Sequence, residues 1–495
     1  MIFSLAILVL LIIIVVLIAS RIANLKSANH LKENFTIRIV FQYLILFGLM
    51  VVVSVGLSGL LGRLLDSSQI IVEDKTALAL NITYVLVGVP FLWGIARWTF
   101  KNFKNNPNEK KSIVWQIYLT LIGITSLGIF LDAIHNFLSW IFQQDNFRGY
   151  DLARVLIWGS VWIFHWKWLE NKNLKVHVLV GSVIGLVILV VGLSGTIGHS
   201  LDEIFSIQND AVIASSSDSV INSLINLLIG IITFYIYWVK TAKNLTKETL
   251  WFSYLFLIGI ASGFITLIVS LCIVIYNNLV YFFGSTEKIN YLENLSSISM
   301  PVGSLVAGLS VWIYHRGIIH GLDSNTNKSE LEVSRIYQYV VSSISLIATS
   351  YGLVMVFVAF IELLVPTTIA KSQSSINNLI LAITLLIVGT PIWAFFWSRI
   401  ESASKKNYED RSSNTRKIFL LLLFGISSLV AVISLIYGVF NFVISVLNGE
   451  VGLETLRQTR YALGILIMTL LVASYHWSVY QDKTKFEKKQ AVKQN

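Results

Sequence analysis

The stretch Trp162-Ile163-Phe164-His165-Trp166, followed by Lys167, closes an apolar run with a cluster of rings and then a positive charge. Related boxes end at Arg97-Trp98, Tyr237-Trp238, His315-Arg316, Phe396-Trp397 and His476-Trp477. Their spacing of roughly 68 to 81 residues is the mark of an internal repeat. Trp and Tyr favour the headgroup level of a bilayer, and Lys or Arg beside them extend toward water. Each box therefore reads as one end of a membrane span.

Composition agrees. The 495 residues are 55% hydrophobic and only 13% charged, with a mean hydropathy of +0.73, more apolar than a soluble core requires. Apolar runs of about 20 residues cross the hydrocarbon layer as helices, because lipid offers no partner to free backbone groups. Thirteen runs are expected, near 2-20, 38-62, 77-99, 112-142, 152-169, 175-206, 219-240, 249-284, 296-317, 335-365, 375-399, 416-447 and 458-480. Pro90, Pro301 and Pro391 fall inside three of them, where a missing N–H bends a helix. The expected fold is an all-α membrane protein.

Charge sets the expected orientation. With connectors assigned alternately, 29 of the 37 Lys and Arg fall on the side of the first connector and the C-terminal tail, which the positive-inside rule makes cytoplasmic. An odd number of spans then puts the N-terminus outside, and the bacterial inner membrane is the expected location. The net charge of +10 is scattered over short segments, so it reads as topogenic and lipid-attracting, and nucleic acid is excluded as a partner. Membrane lipid and other membrane subunits remain. Met1–Ser20 lacks a basic leader and a cleavage pattern, and reads as a retained anchor. The single cysteine, Cys272, excludes an internal disulfide, and no metal site is expected.

Two outward runs carry one string. Val55-Gly56-Leu57-Ser58-Gly59 returns as Val191-Gly192-Leu193-Ser194-Gly195, an offset of two hairpins, and histidine occupies the second, fourth and sixth boxes as His165, His315 and His476. The expected organisation is an N-terminal anchor and linker (1-37), four-helix units at 38-172, 175-320 and 335-480, and a basic tail (481-495). Gly56, Gly59, Gly192 and Gly195 leave flat surfaces for close helix approach.

Trp162-Ile163-Phe164-His165-Trp166, Trp312-Ile313-Tyr314-His315 and Tyr475-His476-Trp477, each closing a four-helix unit, resemble the bacterial integral-membrane repeat family DUF5671. The resemblance implies coverage of nearly everything after residue 37. It implies no activity, because the family is one of unknown function.

Two readings of the boxes follow. Trp98, Trp166, Trp238, Trp312, Trp397 and Trp477 serve as interface anchors, or His165, His315 and His476 converge as cofactor ligands, haem being the group that paired imidazoles would hold. Polar groups in the runs, among them Asp132 with His135, His199 with Asp202, and Glu362, lie near the far ends and not at mid-depth, where ion-coupled carriers need them. No phosphate-binding loop and no zinc pair is present. The expected role is a structural or accessory membrane subunit, more a non-enzyme than an enzyme and without a cofactor. A transporter or channel for a neutral or lipophilic solute, or a haem- or quinone-linked redox subunit, are the alternatives.

Overall fold

The computed structural model describes residues 37–66, 75–170, 175–207, 216–284, 290–320, 328–365, 369–449 and 451–494, and every regular element among them is helical. The expected anchor helix at 2-20 lies outside the described residues. Twelve long helical rods follow: α1 (Ile37–Leu65), α2 (Lys75–Asn105), α3 (Ile113–Ile141), α4 (Gly149–Glu170), α5 (Lys175–Ile207), α6 (Ser216–Phe234, continuing through Tyr235–Thr241), α7 (Thr249–Ser253, Tyr254–Ala261 and Ser262–Phe283), α8 (Tyr291–His320), α9 (Lys328–Leu364), α10 (Ile369–Lys406), α11 (Asn414–Leu447) and α12 (Leu453–Gln494). Eleven are long and apolar enough to cross a membrane. The chain is a polytopic integral membrane protein.

The exception is α4, read in sequence as a span over 152-169. Asp151, Arg154, Lys167 and Glu170 dilute its 22 residues. Its two opening charges are held inside the protein: Arg154 bonds Asp132 of α3 at 2.6 Å and Asp151 at 3.2 Å. Start signals elsewhere are local. Ser112 and Ser413 accept from the backbone N–H groups of Trp115 and Arg416, capping α3 and α11. Pro90, Pro301 and Pro391 lie inside unbroken helices, and the tail read as 481-495 continues α12.

Two compact units divide the chain between Val180 and Gly181. In the first, α1 packs on α2, α3 and α4, and α3 packs on α4. Its core joins Tyr43, Phe103, Trp115, Tyr118, Leu119 and Ile122. Glu109, on the short turn Pro107–Lys111, is buried beneath this core, where it accepts from Tyr43 Oη at 3.3 Å and pairs with Arg38 at 3.3 Å. In the second unit α7 packs on α8 and α10, α9 on α10 and α12, and α11 on α12.

Glycine sets the helix crossings. Since lipid tails are as apolar as Leu, helices in a bilayer associate through close contact instead of water exclusion. A methyl group added to Gly56 would meet Tyr84 Cβ at 2.8 Å, one on Gly192 would run into the Leu227 backbone, and one on Gly352 would meet Leu386 at 3.0 Å. From the other side Gly88 faces Val53, Gly230 faces the Leu189 backbone, and Gly389 faces Thr349. So α1·α2, α5·α6 and α9·α10 each cross on a pair of glycines in one register. Further glycine contacts join α1 to α4 at Gly62 against Tyr150, α5 to α8 at Gly303 against Ser194, and α9 to α12 at Gly464 against Val354.

Candidate functional site

The three box histidines are buried, His165 3% exposed, His315 0% and His476 1%. Each Nδ1 lies on a carbonyl four residues back, at 2.8 Å from Val161, 2.9 Å from Val311 and 2.7 Å from Val472. That bond places the proton on Nδ1 and leaves Nε2 an acceptor. A valine stands at the acceptor position all three times, so the tautomer is set by the helix itself.

The surroundings of Nε2 differ. At His165, Tyr118 Oη donates to Nε2 across 3.1 Å, joining α3 to α4 within a nest that holds Trp115. At His315 the corresponding phenol is Tyr254, six residues past the N-cap of its helix as Tyr118 is past its own. The rings lie 6.0 Å apart, yet neither Tyr254 Oη nor His315 Nε2 has a hydrogen-bond partner among the described residues. At His476 the corresponding position is Phe419, which stacks on Tyr339 instead, and Nε2 again has no partner.

The His315 cluster has a further peculiarity. The α-helical register widens over Tyr235–Thr241 and over Tyr254–Ala261, and such π segments are uncommon and concentrate at functional sites. The first turns Trp238 onto His315 with ring centres 5.8 Å apart, and the second supplies Tyr254 and Gly259. Gly259 has no side chain to keep the imidazole away, and a methyl there would strike the ring. Trp238 and Tyr254 stack at 4.3 Å, with Trp251 and Phe234 completing the wall.

The aromatic boxes sort by exposure. Trp98 and Trp477 are exposed, and Trp166 and Trp312 are half-buried. Trp238 and Trp397 are not so placed: they are 0% and 6% exposed, and Trp397 packs 5.3 Å from His476 while its indole N–H donates to Tyr475 Oη at 2.7 Å. Their partner is the histidine of the fourth helix, because the box of the second helix faces inward there. Each histidine thus has its own set of rings. Among the described residues no group of three or more His, Cys, Asp or Glu gathers in metal-holding geometry.

Sequence reading passed over His177, 0% exposed at the start of α5, which hydrogen-bonds the Thr120 backbone and packs on Trp166. It also passed over Tyr118 and Tyr254, which no box marks. Polar residues toward the span ends find partners between helices: Asp132 takes Arg154 and not the neighbouring His135, Glu362 takes Arg460 at 2.9 Å, and Asp202 accepts from Ser296.

A family profile matches residues 40–164 and 335–471, two segments that together span more than half of the chain. The chain belongs to the DUF5671 family, described as a domain of unknown function. The DUF5671 segments correspond to α1–α4 and α9–α12, while α5–α8, which the resemblance would have included, lie between the two matches. Both matches stop short of the box histidine, His165 by one residue and His476 by five. No curated protein and no solved structure matches the chain.

Proposed function

We propose that the protein is an accessory membrane subunit, a scaffold of three tandem four-helix units at 38-172, 175-320 and 335-480 behind an N-terminal anchor. In this reading the box ends face the cytoplasm of a bacterial cell. The observation that carries the role is the disposal of charge. Buried or half-buried ionisable side chains staple helices to one another: Arg38 to Glu109, Arg154 to Asp132, Arg335 to Asp410, Arg416 to Glu401 and Arg460 to Glu362. Hydroxyls in the spans bond back to their own helix, as Ser54, Ser58, Thr349 and Thr384 do. An ion pathway needs ionisable groups that exchange partners near mid-depth, and these are committed to structure. The repeat is supported by the matched glycine crossings and by the three histidines on three valine carbonyls. Native electrophoresis of gently solubilised membranes should place the chain in an assembly heavier than its own 55.6 kDa, with a second membrane protein in fixed ratio. Migration alone, together with solute flux in liposomes holding only this chain, would favour the transport reading instead.

A second reading keeps one observation. His315 and His476 each hold Nδ1 on a carbonyl and present an unpartnered Nε2, which is how a ligating imidazole is normally oriented. A Soret band in the purified protein, lost in His315→Ala or His476→Ala, would establish haem and displace the scaffold role.

A further inference from the structure

Between α7, α9 and α10 lies a cavity of about 280 Å³ with an almost wholly apolar lining. That is room for about nine groups the size of a water molecule or a methylene. Ile265 to Tyr276, Val341 to Ala348 and Leu381 to Gly389 form its walls, so at 1.5 Å per residue it runs roughly 10 to 16 Å along the helix axes at mid-span. Val269, Ile273 and Ile344 line it and are also exposed, so the cavity is a crevice opening on the outer apolar surface. The hydroxyls in its wall are already used, Ser345 on Val341 O and Thr384 on Ile380 O, both at 2.9 Å. An occupant at this depth meets no polar demand. It is a hydrocarbon chain.

The box end of the crevice supplies the other half of an amphiphile site. One turn from Val341 on the same helix is Tyr337, packed between Phe256 and Phe396. The Phe264 ring joins this cluster to the box of α8, 5.9 Å from Phe396 and 5.7 Å from Trp312, and Arg399 follows Phe396 by three residues on α10. Arg316 rests 5.0 Å over the Trp312 ring, and both arginines are exposed and have no carboxylate partner among the described residues. This is unlike Arg335, Arg416 and Arg460, each of which is paired. Two free guanidinium groups at headgroup level suit a phosphate, which they can grip in bidentate fashion.

We infer that this crevice binds one anionic phospholipid of the surrounding bilayer, its acyl chain between α7, α9 and α10 and its phosphate on Arg316 and Arg399. The inference needs the chain to be in a membrane, and does not depend on the accessory role. Its test uses the purified full chain in mixed micelles of phosphatidylglycerol and phosphatidylcholine, read by native mass spectrometry. Retention of phosphatidylglycerol over phosphatidylcholine is expected. Arg316→Gln with Arg399→Gln should cut that retention roughly thirty-fold, the combined effect of two basic residues beside an anionic headgroup. Phosphatidylglycerol carrying a diazirine in its acyl chain should label 265–276, 341–348 and 381–389, and Ala348→Phe should abolish the label by filling the crevice. The double arginine variant, altered only at exposed side chains, decides the matter if Ala348→Phe does not fold. Equal retention of the two lipids, an unchanged preference in the double variant, or label spread as heavily over the exposed face of α11 would each overturn the assignment.

Discussion

At the residue scale, the His165 and His315 sites place a phenol at the same helix position and differ in whether phenol and imidazole meet. Breaking the Tyr118–His165 bond with Tyr118→Phe leaves a buried Nε2 without its donor, and should cost about 1–3 kcal/mol of stability against denaturation in detergent. Tyr254→Phe should be neutral or slightly stabilising, because the hydroxyl it removes is buried without a partner. An equal loss in both variants would show that a bond to Tyr254 forms in solution. Histidine was legible in the sequence because it recurs at a fixed place in the boxes. Its partners were not, since Tyr118 lies 47 residues from His165 and outside every box. The burial of Trp238 and Trp397 was not legible for a related reason: a box fixes the position of a ring along its helix, but not whether it faces outward or the neighbouring helix.

At the element scale, the shared glycine string turns out to do unequal work. Gly192 and Gly230 face backbone atoms of the opposing helix, which cannot yield without the helices separating, whereas Gly59 faces the Asn81 side chain and Gly195 the Ser223 hydroxyl, which can swing aside. Gly192→Ala and Gly230→Ala should therefore lower the midpoint of thermal unfolding in detergent by an amount equivalent to about 1–3 kcal/mol, an overpacking cost. Gly59→Ala should cost less. Gly94→Ala, with nothing within 4 Å of the new methyl, should be neutral or stabilising, as a glycine inside a helix normally is when replaced by alanine. If Gly59→Ala proved the worst of the four, the crossing point would lie one turn from where the structure has it. The spans themselves were legible because lipid forces runs of apolar residues into helices. The departure is α4, whose Arg154 pairs with Asp132 of α3 and whose Asp151 accepts from Asn136 of α3, an association that no local pattern in 149–170 announces.

At the scale of the whole molecule, the end-to-end asymmetry of charge carries the remaining prediction. Among the described residues the box ends bear Lys104, Lys243 and Lys405 just beyond the rings, while the opposite ends are closed by internal pairs such as Arg154 with Asp132 and Arg460 with Glu362. A lysine at a span end acts as a retention signal during insertion, while acidic residues weigh little in that choice, so the expected orientation has the box ends of the spans in the cytoplasm. With Cys272 replaced, a cysteine placed at Lys104, Lys243 or Lys405 should resist a membrane-impermeant thiol reagent added to intact cells and react after permeabilisation. One placed at Asp145, on the connection between α3 and α4, should react in intact cells. The three lysines follow the rings of α2, α6 and α10, so agreement among them also tests the proposed tandem arrangement of four-helix units. If Lys104 and Lys405 were protected while Lys243 reacted, α5–α8 would be inserted in the opposite sense from the two segments that match DUF5671, and the middle group would have to be an inverted unit and not a third tandem copy.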